Sequence, residues 1–382
     1  MKLVKIGVVV LLFLSLTGCW SRIELDELAF VFGLYLDIGK EPGTVEVTIS
    51  TPLPNRQISG QQSGSGGEDG KMYSTVSKTG ATITEALSAI QRDLPRRLSL
   101  SHIKVVVIGE EYAKKGISDV LEWLKREPGF PLGTYVLASP GRAKEITKLS
   151  PIYEQLPSQV LFKFASDNAM FKTTIKDCLY AEAFNTGFVL TYLSFGTKPE
   201  SLESGKPEFW AGIRGAMLFQ KDKMTGILKL NEGVALAWAN SHVKRPLYVI
   251  HWDEGRGAAS AIIANTHSSK VVSMTDKGPV FEIRLRGRAS IVSIKDPDNR
   301  GIKEISQTIE DKLEQEISKQ VTEAIQKTQK AQTDIFHLGL LTEWNYPKEW
   351  NKLQEHWEDY YANDAVIKVN TSVRINDFGA EK

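Results

Sequence analysis

Cysteine is nearly missing from this chain: its 382 residues include two, Cys19 and Cys178. That excludes a disulfide framework, so packing must hold the fold together. An excess of one charge is missing as well, with 47 Lys and Arg against 46 Asp and Glu. No overall field is therefore available to hold nucleic acid or an anionic lipid surface. Long apolar runs are also lacking. Ile6 to Leu16 is an 11-residue hydrophobic segment, whereas a membrane span needs about 20 residues.

The usual marks of catalysis and metal binding are scarce too. The six histidines form neither H-E-x-x-H nor a Cys-His zinc pattern. His251-Trp252-Asp253-Glu254 reads as a strand-end turn, and no glycine-rich phosphate loop leads a strand into a helix. Three strings used by penicillin-binding enzymes do occur: Ser101-His102-Ile103-Lys104, Ser166-Asp167-Asn168 and Lys78-Thr79-Gly80. Their order is wrong, since K-T-G comes first. Ser101 also leads into a strand, where residues three apart point to opposite faces. No catalytic residue, metal site or dissociable cofactor is expected.

The start of the chain is more informative. Lys2 and Lys5 precede the short apolar segment, which ends in Leu16-Thr17-Gly18-Cys19. This is the layout of a secretory leader, and its ending resembles the bacterial lipoprotein signal. The resemblance implies cleavage after Gly18, with diacylglycerol and an N-acyl chain carried on Cys19. The mature chain from Cys19 has 364 residues, enough for two or three cores. Losing Lys2 and Lys5 leaves 45 basic against 46 acidic residues, a net charge of −1. With Cys19 acylated, no disulfide can form, and Cys178 reads as a buried helix residue. Trp20, beside the anchor, should lie at headgroup depth, placing Glu24 and Leu25 first in reach of a membrane partner. Cys19 to Leu25 is thus expected to dock the protein on its neighbours as well as on lipid.

Beyond the anchor the pattern is α+β. Strands are predicted at Glu27–Ile38 and Val45–Thr51, joined by a hairpin. Ser59 to Gly70, with five glycines and no apolar residue, is expected to be a mobile loop. From Met72 strands and helices alternate: Thr82 N-caps a helix, His102–Gly109 is a buried strand, and Glu110–Arg126 is one helix. A strand at Tyr135–Ala138 and a helix at Ala143–Leu149 follow, and Leu156–Ala183 is mostly helical. Prolines and charges at Thr197–Pro207 mark a domain boundary. The first domain is thus 19–197, with a possible helical subdomain at 150–197, and the second is 205–382. The second begins with strands at Phe209–Phe219 and Gly226–Leu230 and a short helix near Val234–Ala239. Short strands at Tyr248–Ile250, Ala261–Ile263, Val271–Met274 and Val280–Leu285 predict an antiparallel sheet. Ile305, Ile309, Leu313, Ile317, Val321 and Ile325 make Ile302–Gln329 a long helix packed along it. A Trp-rich helix at Pro347–Tyr361, with Trp350 and Trp357 on one face, and a strand at Val366–Ile375 close the chain.

Three stretches carry a family resemblance: Gly18-Cys19-Trp20-Ser21-Arg22-Ile23-Glu24-Leu25, the run from Ser101 to Ala113, and Thr333-Asp334-Ile335-Phe336-His337-Leu338-Gly339 after the long helix. In type and order they resemble the C-subunit lipoproteins of bacterial spore-germination receptors, the Ger(x)C family. Family members often carry Gly or Phe where His337-Leu338 stand here. The resemblance implies a non-enzymatic, lipid-anchored subunit on the outer surface of the spore inner membrane. It would work beside a second membrane-bound subunit and a multi-spanning permease-like subunit. It does not say whether this subunit contacts the nutrient. The alternative is a solute-binding lipoprotein of a transporter, which requires two similar lobes around a cleft.

Overall fold

The computed structural model describes residues 24–53, 72–167, 169–197 and 208–379. Cys19, Trp20, the loop expected at 59–70 and the predicted boundary segment 198–207 lie outside them. A 3-10 turn at Leu25–Glu27 leads into β1 (Leu28–Phe30) and β2 (Gly33–Ile38). Then come β3 (Val45–Pro52), β4 (Tyr73–Gly80), α1 (Ile83–Arg92), β5 (Arg97–Ser99) and β6 (Val105–Gly109). The expected helix over 110–126 is broken. Gly116 at φ +116° separates α2 (Glu110–Lys115) from α3 (Ser118–Arg126), a conformation glycine adopts cheaply. β7 (Tyr135–Ser139) precedes Ala143–Lys148, which is 3-10 rather than α-helical. α4 (Pro157–Ser166), α5 (Ile175–Ala183), β8 (Gly187–Thr197), β9 (Phe209–Gln220) and β10 (Lys223–Lys229) follow.

Eight of these strands form one sheet in the order β10-β9-β8-β7-β6-β2-β3-β4. Its centre, β2, β6, β7 and β8, is parallel, as expected where helices cover both faces. β1 and β5 form a separate parallel pair. Asp37 on β2, buried, accepts the N–H groups of Ala143 and Lys144 at 2.7 and 3.0 Å, tying the 3-10 segment to the sheet. The expected boundary at 197–205 falls between two paired strands. β8 and β9, on either side of it, pair antiparallel from Gly187–Gln220 to Thr197–Phe209. The first strands assigned to the second domain therefore complete the sheet of the first.

α6 (Leu230–Ala239) leaves that sheet, and β11 (Leu247–Trp252), β12 (Gly257–Thr275) and β13 (Gly278–Lys295) build a second one. The two short strands predicted within 261–274 are one 19-residue strand, bent by irregularities at Ser260/Ala261 and Ala264/His267. α7 (Ile302–Lys330) lies along this sheet with all six predicted apolar positions buried. The Trp-rich region holds α8 (Leu338–Asn345), α9 (Pro347–Leu353) and α10 (Trp357–Asn363), with a 3-10 turn at Gln354–His356 between the last two. Trp357 is buried and Trp350 lies 5.3 Å from it edge-on, while Trp344 is exposed. β14 (Val366–Asp377) then joins β13 in parallel, so the sheet is mixed rather than antiparallel.

The protein is a multi-domain α+β fold whose two units share a core. Phe171, Val189, Leu218 and Leu228 from around the first sheet pack in one cluster with Trp238, Phe281, Ile317 and Tyr361. The sheets differ in strand number and order, unlike the paired lobes a solute-binding protein would need.

Candidate functional site

The stretch Thr333–Gly339 forms a buried polar joint between the two units. α7 ends at Lys330, and left-handed backbone at Gln332 (φ 51°) and His337 (φ 56°) reverses the chain twice within six residues. Between these turns Asp334 is 3 % exposed. Its Oδ2 accepts the Gly339 N–H at 2.9 Å and the Trp357 indole N–H at 3.1 Å. Its backbone carbonyl accepts the Gly187 N–H of β8 at 3.3 Å, and His337 Nε2 lies 3.4 Å from the Gly187 carbonyl oxygen. Thr333 reaches Thr225 on β10, hydroxyl to hydroxyl, at 2.8 Å. Gly339 is required for space, since a Cβ would stand 2.8 Å from the Trp350 ring and 2.9 Å from the Trp357 indole nitrogen.

Lys270 enters the joint from β12. Its ammonium donates to Asn240 Oδ1 at 2.9 Å and to the Phe336 carbonyl at 3.1 Å, and lies 5.3 Å from the Phe336 ring centre. Burial pushes this amine down to about 8, partly opposed by the Asp334 charge. His242, after α6, makes the second crossing: its Nδ1 accepts the Lys172 N–H at 3.2 Å, and its ring packs 5.2 Å from Phe171. Burial pushes it down to about 4. His337 is lowered for the same reason. Both histidines are therefore neutral near pH 7. Several of these hydrogen bonds join the two units, although Asp334 Oδ1 and Asn240 Nδ2 are buried without a partner among the described residues, so the arrangement can couple the units mechanically but presents no activated nucleophile.

Of the residues expected to dock on a membrane partner, Cys19 and Trp20 lie outside the described residues. Glu24 is exposed and Leu25 is 73 % exposed, at a turn closed by Glu27 N–H donating to the Glu24 carbonyl at 3.1 Å. Just beyond, Val31 and Phe32 donate to the carbonyls of Ser99 and Ser50 at 3.0 and 2.9 Å, stitching the segment to the fold. Glu24 and Leu25 thus lie exposed just ahead of β1, the first strand paired with the fold.

The three penicillin-binding strings stay apart in local roles. Ser101 Oγ lies 2.9 Å from His102 Nδ1 in a turn, Lys78 pairs with Asp93 at 2.6 Å, and Ser166 donates to the Lys163 carbonyl. Among the described residues, no group of three or more His, Cys, Asp or Glu could hold a metal ion. Cys178 is buried, its thiol pushed up by desolvation. Thr333–Gly339 is a family marker in sequence with no role attached to it. An acidic residue inside an apolar run at a helix end, five residues before a glycine, was the available signal.

Residues 21–195 match the family model described as spore germination protein N-terminal domain. Residues 214–379 match spore germination B3/GerAC like, C-terminal. Similar curated proteins from Bacillus subtilis (strain 168) include spore germination protein KC, 26 % identical over 97 % of this chain and 95 % of that protein. Spore germination protein B3 is 26 % identical over 98 % of both. The crystal structure of the GerBC protein superposes with a TM-score of 0.58 at 20 % identity, covering 93 % of this chain and 100 % of that one. It shares the fold. With both parts of the pattern matched in order, this chain belongs to the Ger(x)C family of spore germination proteins.

Proposed function

We propose that this protein is the lipid-anchored subunit of a spore nutrient-germinant receptor, held on the outer surface of the spore inner membrane by acyl chains on Cys19. It acts by assembly and signal transmission with a permease-like membrane subunit and carries out no chemistry of its own. The observation that carries this reading is the match of both halves to spore germination proteins. The polar joint supports it, since a non-catalytic subunit that relays a signal needs two units mechanically coupled.

A C-terminal tag, crosslinking of intact spores and recovery from detergent-solubilised inner membrane test the reading. Wild type should bring down a permease-like protein and a second receptor subunit. Cys19→Ala should move most of the chain from the membrane to the soluble fraction, because no helix among the described residues is long and apolar enough to cross a bilayer. Recovery of transporter permease and ATPase subunits would overturn the proposal. For the docking segment, Trp20→Ala with Glu24→Ala should weaken recovery of the partner subunits while leaving membrane retention intact. Unchanged recovery and nutrient response would show that Cys19 to Leu25 is only a tether.

A further inference from the structure

The near-neutral total charge conceals a basic face. Along β13 the side chains of Ile283, Leu285 and Ala289 are buried, so Arg284, Arg286 and Arg288 all project from the opposite, open face. Successive arginines are about 7 Å apart along the strand. Register extends the stripe sideways: Arg374 on β14 stands beside Arg288, and His267 on β12 beside Arg286. Glu282 engages Arg284 at 2.6 Å, and Glu310 reaches Arg374 at 2.8 Å. Arg286 and Arg288 have no ion pair among the described residues. Like charges directly opposite each other destabilise a sheet; beside Arg288, Arg374 is offset by Glu310 and Glu314, whereas Arg288 has no acidic partner of its own among the described residues. Charged residues on edge strands guard against aggregation, but β13 lies between β12 and β14. That explanation does not apply here.

The apolar neighbours point to the occupant. Leu247 and Val249 on β11 are 59 % and 49 % exposed on the same face. Leu247 pairs with Ile262, which in turn pairs with Ser290, two residues past Arg288. We propose that this open sheet face is a docking surface for anionic phospholipid, with Arg286 and Arg288 binding headgroup phosphates and Leu247 and Val249 resting at the acyl boundary. Arginine holds phosphate through two parallel hydrogen bonds. With the acyl chains holding the chain at the bilayer, a basic patch would orient the fold against an anionic surface. The inference rests on the membrane-anchored reading above, but it is tested without the anchor.

Full-length Cys19→Ala protein, which carries no acyl chain, is mixed with vesicles of pure phosphatidylcholine or with 30 % phosphatidylglycerol, and bound protein is measured by sedimentation. Each basic residue at an anionic surface contributes roughly fivefold, so Arg286→Ala with Arg288→Ala should weaken binding to the anionic vesicles about 25-fold. Binding to phosphatidylcholine should not change, and high salt should erase the difference. Equal binding by parent and double variant, both folded by circular dichroism, overturns the proposal. Arginine-dependent binding to polyglutamate with no preference for phosphatidylglycerol also overturns it, assigning the face to an acidic protein instead.

Discussion

Asp334→Ala is expected to lower the unfolding free energy by about 3–5 kcal/mol, the usual result of stripping one partner from a buried, charged network. The substitution leaves the buried Trp357 indole N–H and Gly339 N–H without their acceptor. It also removes the negative charge that offsets desolvation of Lys270, so that amine moves further down and its charged form costs more. Asp334→Asn keeps the shape and an acceptor oxygen, and should lose less. Urea denaturation reads both, as a lower midpoint at an unchanged slope. Combining Asp334→Ala with Trp357→Phe should give a coupling of about 0.5–3 kcal/mol, because the two side chains share one bond. A loss below 1 kcal/mol for Asp334→Ala would mean the joint is not a stabilising element.

Acidification should loosen the other crossing. In the fold His242 is pushed down from 6.5 to about 4, because burial penalises the imidazolium. The Lys172 N–H occupies the lone pair on Nδ1 that a proton would need. The unfolded chain binds that proton first as pH falls, so His242 contributes no penalty above 6.5, and stability is lost as pH drops from 6.5 to 4. The whole span amounts to about 3 kcal/mol. Asp177 opposes the shift, while Lys172, Lys270 and His337 reinforce it. His337, lowered as well, adds loss in the same direction. His242→Gln, which can still offer an oxygen to Lys172, should flatten the stability profile between pH 4 and 6.5. A variant with the parent's slope would place the acid sensitivity elsewhere.

What could be seen in the sequence depended on how local its cause was. The six apolar positions of α7 recur within a single helix and were plain. Thr82 was equally plain: its hydroxyl accepts the Glu85 N–H at 3.1 Å. Gly116 within 110–126 does not announce a break, because the amphipathic stripe continues across it. Asn265-Thr266-His267 lies between the two short apolar runs predicted at 261–263 and 271–274, yet β13 pairs along both sides and carries the strand through. The proline-rich run at 197–207 is a composition signal, and composition cannot say which strands pair around it. The parallel placement of β14 was hidden for the same reason. Asp334 was visible as a residue and invisible as a site, since Lys270 and Trp357 reach it from 64 and 23 positions away. The basic stripe was hidden in a net charge near zero, because the counting ignores which face a side chain takes.

The pairing of β8 with β9 constrains how parts of this protein can be exchanged with those of its relatives. The two family models divide the chain between residues 195 and 214, where a chimera would naturally be joined. A crossover there would ask β9 and β10 from one protein to complete, bond by bond, a sheet from another. It would also set Leu218 and Leu228 against unfamiliar neighbours. The transferable unit ends at Lys229, where the last strand of the first sheet gives way to α6.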